Sequence, residues 1–161
     1  MPLTIREATL EDAPVLFDFI RQLSEAEGLP HENSGSLEML RNSLFGPKPF
    51  AHAMLALLGG EPAGMAIYYF GYSTFQARPM LYLEDLFVTP LARSQGIGRA
   101  FFKRLGLIAS QTGCGRFEWA VQLTNTRAVQ LYQSLGARQL ADWARYRLEG
   151  EALEVLAAKI P

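Results

Sequence analysis

The sequence predicts a mixed α/β domain whose central sheet is antiparallel early and parallel in the middle. Three observations predict it. Residues 51–88 carry three strand-like apolar runs joined by short turns, which is an antiparallel meander. After Pro90 the apolar period lengthens, with Ile97, Phe101, Leu105 and Ile108 recurring every three to four residues. A short strand at 117–121 and a further helix at 125–135 follow, and the order strand, helix, strand, helix requires a crossover with locally parallel strands.

The elements follow in chain order. Leu3 to Glu7 alternate as a strand, and Thr9 with Asp12 three residues later has the form of a capping box. Ala13, Leu16, Phe17, Ile20 and Leu23 then fall at helical spacing; with Asp12 as the cap, Pro14 sits harmlessly in the first turn. Residues 27–36 hold Gly28, Pro30, Asn33 and Gly35 and read as one long loop. Ser36 to Phe45 is a short helix stopped by the Gly46-Pro47-Lys48-Pro49 breaker. The strands are Ala51–Leu58, Ala63–Tyr72 and Leu81–Val88. The long helix starts near Gly96 and ends near Gly113. The last helix has Asn125 or Thr124 as its cap and Gly136 as its stop. Residues 143–157, split by Glu149-Gly150, are expected to close the sheet as a hairpin, although their Ala, Leu and Glu content would equally suit a helix.

Composition narrows the function. The 161 residues fit one domain, taken as 1–161. With 49% hydrophobic and 19% charged residues the chain can bury a core and is not disordered. Its formal net charge of −1 supplies no general attraction to nucleic acid or an anionic membrane. Cys114 stands alone, so there is no internal disulfide, and with His31 and His52 it makes no four-ligand zinc cluster; a reducing, cytoplasmic setting and no metal are expected. No apolar leader or spanning run is present. Both histidines have a structural reading, as a loop and a strand residue.

Two segments carry chemistry. Leu81 to Val88 is apolar on both faces yet holds Glu84 and Asp85 in its middle, and a buried carboxylate requires a reason. Either the pair meets an arginine of a neighbouring strand, or the strands part and the acids project into a cleft. Arg93 to Arg99 contains Gly96-Ile97-Gly98. No Gly-Lys-Ser or Gly-Lys-Thr makes it a Walker loop, and Phe101 occupies the third small position of a dinucleotide fingerprint. A plain helix start remains, as does a pyrophosphate cradle. In the latter, glycines leave room, first-turn N–H groups lack partners, the helix dipole adds ~1 kcal/mol, and Arg93 and Arg99 add charge.

Arg93-x-x-Gly96-x-Gly98 after a strand ending in Val88 resembles the acetyl-CoA loop of the GCN5-related N-acetyltransferases (GNAT). The strand core Tyr82-Leu83-Glu84-Asp85, with Pro49-Phe50, His52, Tyr68-Tyr69-Phe70, Glu27, Asn125, Tyr132, Gly136-Ala137 and Trp143, is similar to the diamine (spermidine/spermine) acetyltransferase branch over nearly the whole chain. The resemblance implies a mostly antiparallel sheet with a splayed strand pair and flanking helices. It also implies acetyl-CoA as co-substrate and direct attack by a primary amine of a diamine, polyamine or thialysine-like amino acid.

An amine of pKa ~10.4 must lose its proton at pH 7 at a cost of ~4 kcal/mol, so a base is needed, and Glu84 is the candidate with Asp85 as partner or substrate anchor. By resemblance Tyr132 is the general acid for the leaving thiolate; its own spacing with Ala128, Leu131 and Leu135 reads as packing. A main-chain N–H near Leu86 or Phe87 would polarise the carbonyl. Val88, Ser94, Gln95 and Ile97 complete the implied cofactor-binding segment with Arg93, Gly96, Gly98 and Arg99. Asn125 would reach the pantetheine arm besides capping its helix, and Glu27 and Trp143 would shape the amine site. A homodimer is implied as well. Competing readings are a protein or peptide N-acetyltransferase and a degenerate acyl-CoA-binding module.

Overall fold

The computed structural model describes residues 1–158, so the last three residues of the expected single domain lie outside the described residues. The chain forms two compact units, residues 1–122 and 123–161. In the first, β1 (Leu3–Glu7), α1 (Ala13–Ala26), α2 (Leu37–Phe45), β2 (His52–Leu58), β3 (Glu61–Ser73), β4 (Arg78–Val88), α3 (Ile97–Gln111) and β5 (Arg116–Trp119) follow in order. The sheet order is β1-β2-β3-β4-β5. The first four strands pair antiparallel, and β5 joins β4 parallel.

Local chemistry explains where the elements begin. The Thr9 N–H donates to Asp12 Oδ2 at 2.8 Å and the Asp12 N–H to the Thr9 carbonyl at 3.0 Å, which closes the turn before α1. Asp12 is the N-cap residue of α1, with Pro14 in the first turn. Ser36 caps α2 by accepting from the Met39 N–H at 3.2 Å. Leu16 and Phe19 of α1 and Leu44 of α2 cover one sheet face, packing with Leu55, Met65, Ile67 and Phe87. Met54, Ala56 and Ala66 alternate with that set and are fully buried on the opposite face. There α3 packs against β1, β4 and β5, with Phe102 against the rings of Phe117 and Trp119. Burial on both faces makes the sheet a rigid platform.

The second unit holds α4 (Thr126–Ser134) and α5 (Gly150–Ala158). The expected hairpin is not formed: residues 143–149 have no regular structure and 150–158 are helical. Val155 is the only β-branched residue in 151–158, and Ala, Leu and Glu lose little freedom in a helix, so local propensity prevails over the strand pattern. The strand expected over 117–121 lies at 116–119.

One ion pair ties β1 to the start of α1: both Arg6 guanidinium nitrogens meet Asp12, at 2.6 and 2.9 Å. The hydrogen bond from Arg6 holds the Asp12 pKa down at about 2. Its contribution to stability is therefore complete above the unfolded carboxylate value of ~3.9 and is lost as pH falls through 2. Asp12→Asn is expected to lower the melting temperature at pH 7 and to flatten the acid limb of a melting-temperature profile between about pH 4 and 2.

Candidate active site

The site is built on an edge that the sheet leaves unfinished. β4 pairs with β3 from Arg78 to Val88, but with β5 only from Met80 to Leu83, the last pair being Leu83 with Trp119. From Glu84 onward β4 has one paired edge among the described residues. The break coincides with a bulge: Asp85 pairs with Ile67 and Leu83 with Tyr68, which leaves Glu84 opposite no residue of β3. Glu84 is exposed, and Asp85 shares Ile67's register on the side of the sheet that α1 and α2 cover.

Strand alternation tells which main-chain groups face the open edge. The Thr89 N–H bonds to the Ala63 carbonyl of the β3 side at 3.0 Å. Two residues back, Phe87 also directs its main chain to β3, so Leu86 and Val88 direct theirs to the unpaired side. Arg93 Nε donates to the Val88 carbonyl from that side at 3.3 Å. Of the two residues expected to offer an oxyanion donor, the geometry thus favours Leu86. The Phe87 side chain is buried in the core, its ring 5.3 Å from that of Phe19.

Electrostatics distinguishes the two adjacent acids. Burial pushes the Asp85 pKa up to about 6, with the charges of Glu84 and Glu27 adding to the rise. Glu27 is the C-cap residue of α1; its carbonyl accepts from Gln122 Nε2 at 3.2 Å, and burial raises its carboxyl pKa too. None of these three carboxylates belongs to an ion pair among the described residues, so of the two readings open for Glu84 and Asp85 the arginine partner is not found.

Beyond β4 a turn at Pro90–Ala92 leads into the glycine segment. Gln95 Nε2 bonds to the Leu91 carbonyl at 3.4 Å, Ser94 takes a φ of 67° and Gly96 a φ of 80°. That left-handed conformation at the N-cap position is what the glycine is for, because a Cβ there would meet open space. α3 then starts at Ile97, whose side chain is buried, so Ile97 can offer a ligand only its main chain. Ser94, Gln95, Gly96 and Arg99 are exposed, while Gly98 is half-buried. First-turn N–H groups without helical acceptors, at the positive end of a 15-residue helix, suit an anion such as a pyrophosphate.

In the second unit Asn125 caps α4, its side chain accepting from the Ala128 N–H at 3.2 Å. Tyr132 is half-buried on the stripe with Ala128 and Leu131. Trp143 is 77% exposed and is therefore no core residue of its unit. His31 lies in the turn Pro30–Glu32, and His52 starts β2 with its ring 5.2 Å from that of Tyr68. The Cys114 thiol is pushed up by burial and is no ready nucleophile. Among the described residues no group of three or more His, Cys, Asp or Glu side chains could hold a metal, and no helix is long and apolar enough to cross a membrane. Sequence reasoning did not identify Asp85 as the carboxyl of raised pKa; its burial depends on the bulge, which has no signature in the strand itself.

The outer edge of β4 left unpaired beyond Leu83 is followed by a glycine turn into the exposed start of α3, and sequence comparison gives the class of protein to which this arrangement belongs. The profile of the Acetyltransferase (GNAT) family matches residues 17–137, and the chain belongs to this family of N-acetyltransferases. It is 42% identical to the thialysine N-epsilon-acetyltransferase of Sus scrofa, with 96% of this chain and 97% of that protein covered. It is 32% identical to the protein of the same name in Caenorhabditis elegans, covering 92% and 93%. A solved integron cassette protein from the mobile metagenome of V.cholerae superposes with a TM-score of 0.79 at 28% identity, covering 98% of each chain. Family membership implies acetyl-CoA as the acyl donor.

The raised Asp85 pKa has a consequence for folding. The proton is held more tightly in the folded state, so this group's contribution is complete below the unfolded value of ~3.9 and is lost as pH rises through about 6. Asp85→Asn is expected to be more stable than the parent at pH 7 and to lack that decline. Equal slopes of melting temperature against pH in the two proteins would contradict the assignment.

Proposed function

We propose that this chain transfers the acetyl group of acetyl-CoA to a primary amine of a small cationic molecule: a diamine, a polyamine or a thialysine-like amino acid. The observation that carries the reading is the set of three carboxylates, Glu27, Glu84 and Asp85, kept without a cationic partner among the described residues near the open edge of β4. Such a site favours a ligand that brings its own positive charge. The relatives named for thialysine acetylation support a short cationic chain ending in an amine.

The left-handed turn at Gly96, the first turn of α3 and the main-chain N–H groups of Leu86 and Val88 facing away from β3 fit acetyl-CoA, which when bound supplies the thioester carbon that the amine attacks. In this reading Arg93, Ser94, Gln95, Gly98 and Arg99 line the pyrophosphate end with the Ile97 main chain, and Asn125 serves the pantetheine arm. The Leu86 N–H donates to the carbonyl oxygen as negative charge develops on it. Glu84, the exposed bulge residue, takes the amine proton directly or through water. Asp85 and Glu27 hold the substrate's charge and Trp143 borders it. Asp85, with its pKa near 6, is also placed to share the proton. The Tyr132 hydroxyl returns a proton to the thiolate that leaves.

The family profile runs through residue 122 into the second unit, which supports treating 1–161 as one catalytic domain. The single cysteine suits a reducing, cytoplasmic setting. The family resemblance extends this reading to a homodimer; light scattering on purified protein should give twice the chain mass.

The test is a product screen with acetyl-CoA against diamines, polyamines, lysine analogues and peptides. Acetylated small amines are expected. Peptide products alone would favour the protein acetyltransferase, and CoA binding without release of thiol would favour a binding module. Tyr132→Phe and Glu84→Gln should each lower kcat by about 10²-fold or more, with Glu84→Gln also shifting the pH–rate profile. Unchanged turnover in Tyr132→Phe would remove its assigned role.

A further inference from the structure

Gly64 of β3 lies where the two halves of the donor site meet. A Cβ built on it would come 2.5 Å from the Phe87 carbonyl oxygen and 3.4 Å from both the Val88 Cα and Phe101 Cε2. The first of these is closer than real Cβ atoms approach backbone, so a side chain at 64 forces something to move. Gly64 has an ordinary φ, so the missing side chain answers a demand for space and not for backbone conformation.

What surrounds that space is informative. On one side is the end of β4, which pairs Val88 with Gly64 and whose neighbour Thr89 bonds to Ala63. On the other is the fully buried ring of Phe101, in the second turn of α3, four residues after Ile97. The strand end offers the main chain of Leu86 and Val88, and the helix offers its first-turn N–H groups. The contact of β3, β4 and Phe101 at this position lies between them and bears on their separation.

We propose that Gly64 is a positioning residue that fixes the spacing between the β4 edge and the α3 N-terminus, so that one donor molecule can engage both. The inference rests on the acetyl-CoA reading given above. A methyl group at 64 displaces the Phe87–Val88 segment, the Phe101 ring or both, and each displacement changes the distance that a ligand must span. A ligand that uses the helix end alone does not span it and is indifferent to the change. A misplacement of about 1 Å between two contact sites can cost up to about 10²-fold, so the effect is large enough to read.

The experiment compares CoA with 3′-phospho-ADP, which carries the pyrophosphate without the pantetheine arm, by titration calorimetry on the full chain. Gly64→Ala is expected to weaken CoA binding about tenfold or more while 3′-phospho-ADP keeps its wild-type affinity. Phe101→Leu alters the opposite wall of the same space and is expected to show the same selective loss, which keeps the test open if Gly64→Ala does not fold. Leu81→Ala, fully buried near the start of β4 and seven residues from Val88, serves as a control that lowers the melting temperature without changing either affinity. Equal weakening of both ligands, or unchanged CoA affinity in a folded Gly64→Ala, overturns the role of Gly64 while leaving the acetyltransferase reading intact. Failure of the wild-type chain to bind CoA at all would instead overturn that reading, and the inference with it.

Discussion

The constraint on which the site depends is that β4 outlasts its partner. A strand buried on both faces normally satisfies its main chain on both edges, since an unpaired amide away from water costs about as much as a lost hydrogen bond. Here β5 stops at Trp119 while β4 runs five residues past Leu83 to Val88. The sheet holds that extension in place from one side only, through β3. The extension is therefore rigid while its outer edge, apart from the Val88 carbonyl that accepts from Arg93, has no strand partner among the described residues, which suits a preorganised hydrogen-bond donor. Packing of α1 on the sheet supplies the rigidity, because Phe87 is held against Phe19 while its neighbours turn their main chains outward.

The bulge at Glu84 divides labour between two adjacent acids. In an unbroken strand, successive side chains alternate between faces and the two would differ only by side. One extra residue leaves Glu84 exposed and Asp85 half-buried, so the neighbours sit in different solvent environments. Burial then raises the Asp85 pKa, and the nearby negative charges raise it further. A cationic ligand would oppose that rise, because a positive charge favours ionised carboxylates. In the proposed reading, part of that repulsion would be relieved when an amine enters.

Much of the scaffold was legible because its signals are local. The Thr9/Asp12 turn, the Gly96 entry to α3 and the Asn125 cap each involve residues within four positions of one another, and each occurs where the sequence places it. The meander was legible too, since apolar runs separated by Gly59-Gly60 and a second short turn leave few alternatives. The bulge was not, because register is a property of β3 and β4 together. The tail misled for a related reason: a hairpin needs cross-strand partners, and the pattern over 143–157 was read without knowing whether any would be supplied. Pairing of the acids with an arginine likewise depended on spatial neighbours. The roles of Glu27, Tyr132 and Trp143 entered by family likeness, since each side chain alone has an ordinary structural reading.

Gly64 illustrates what a single sequence hides. In β3 it reads as a weak point, a residue that loses more freedom on folding than any other and packs nothing. Its worth lies wholly in what a Cβ would displace, and those atoms belong to residues 23 or more positions away in the chain. The same contact explains why Phe101 stands where a dinucleotide fingerprint would place a third small residue. In that fingerprint the glycine sits on the helix and lets it approach the strand. Here the large ring is on α3 and the space is made in β3, so close packing of helix and sheet is achieved from the opposite side.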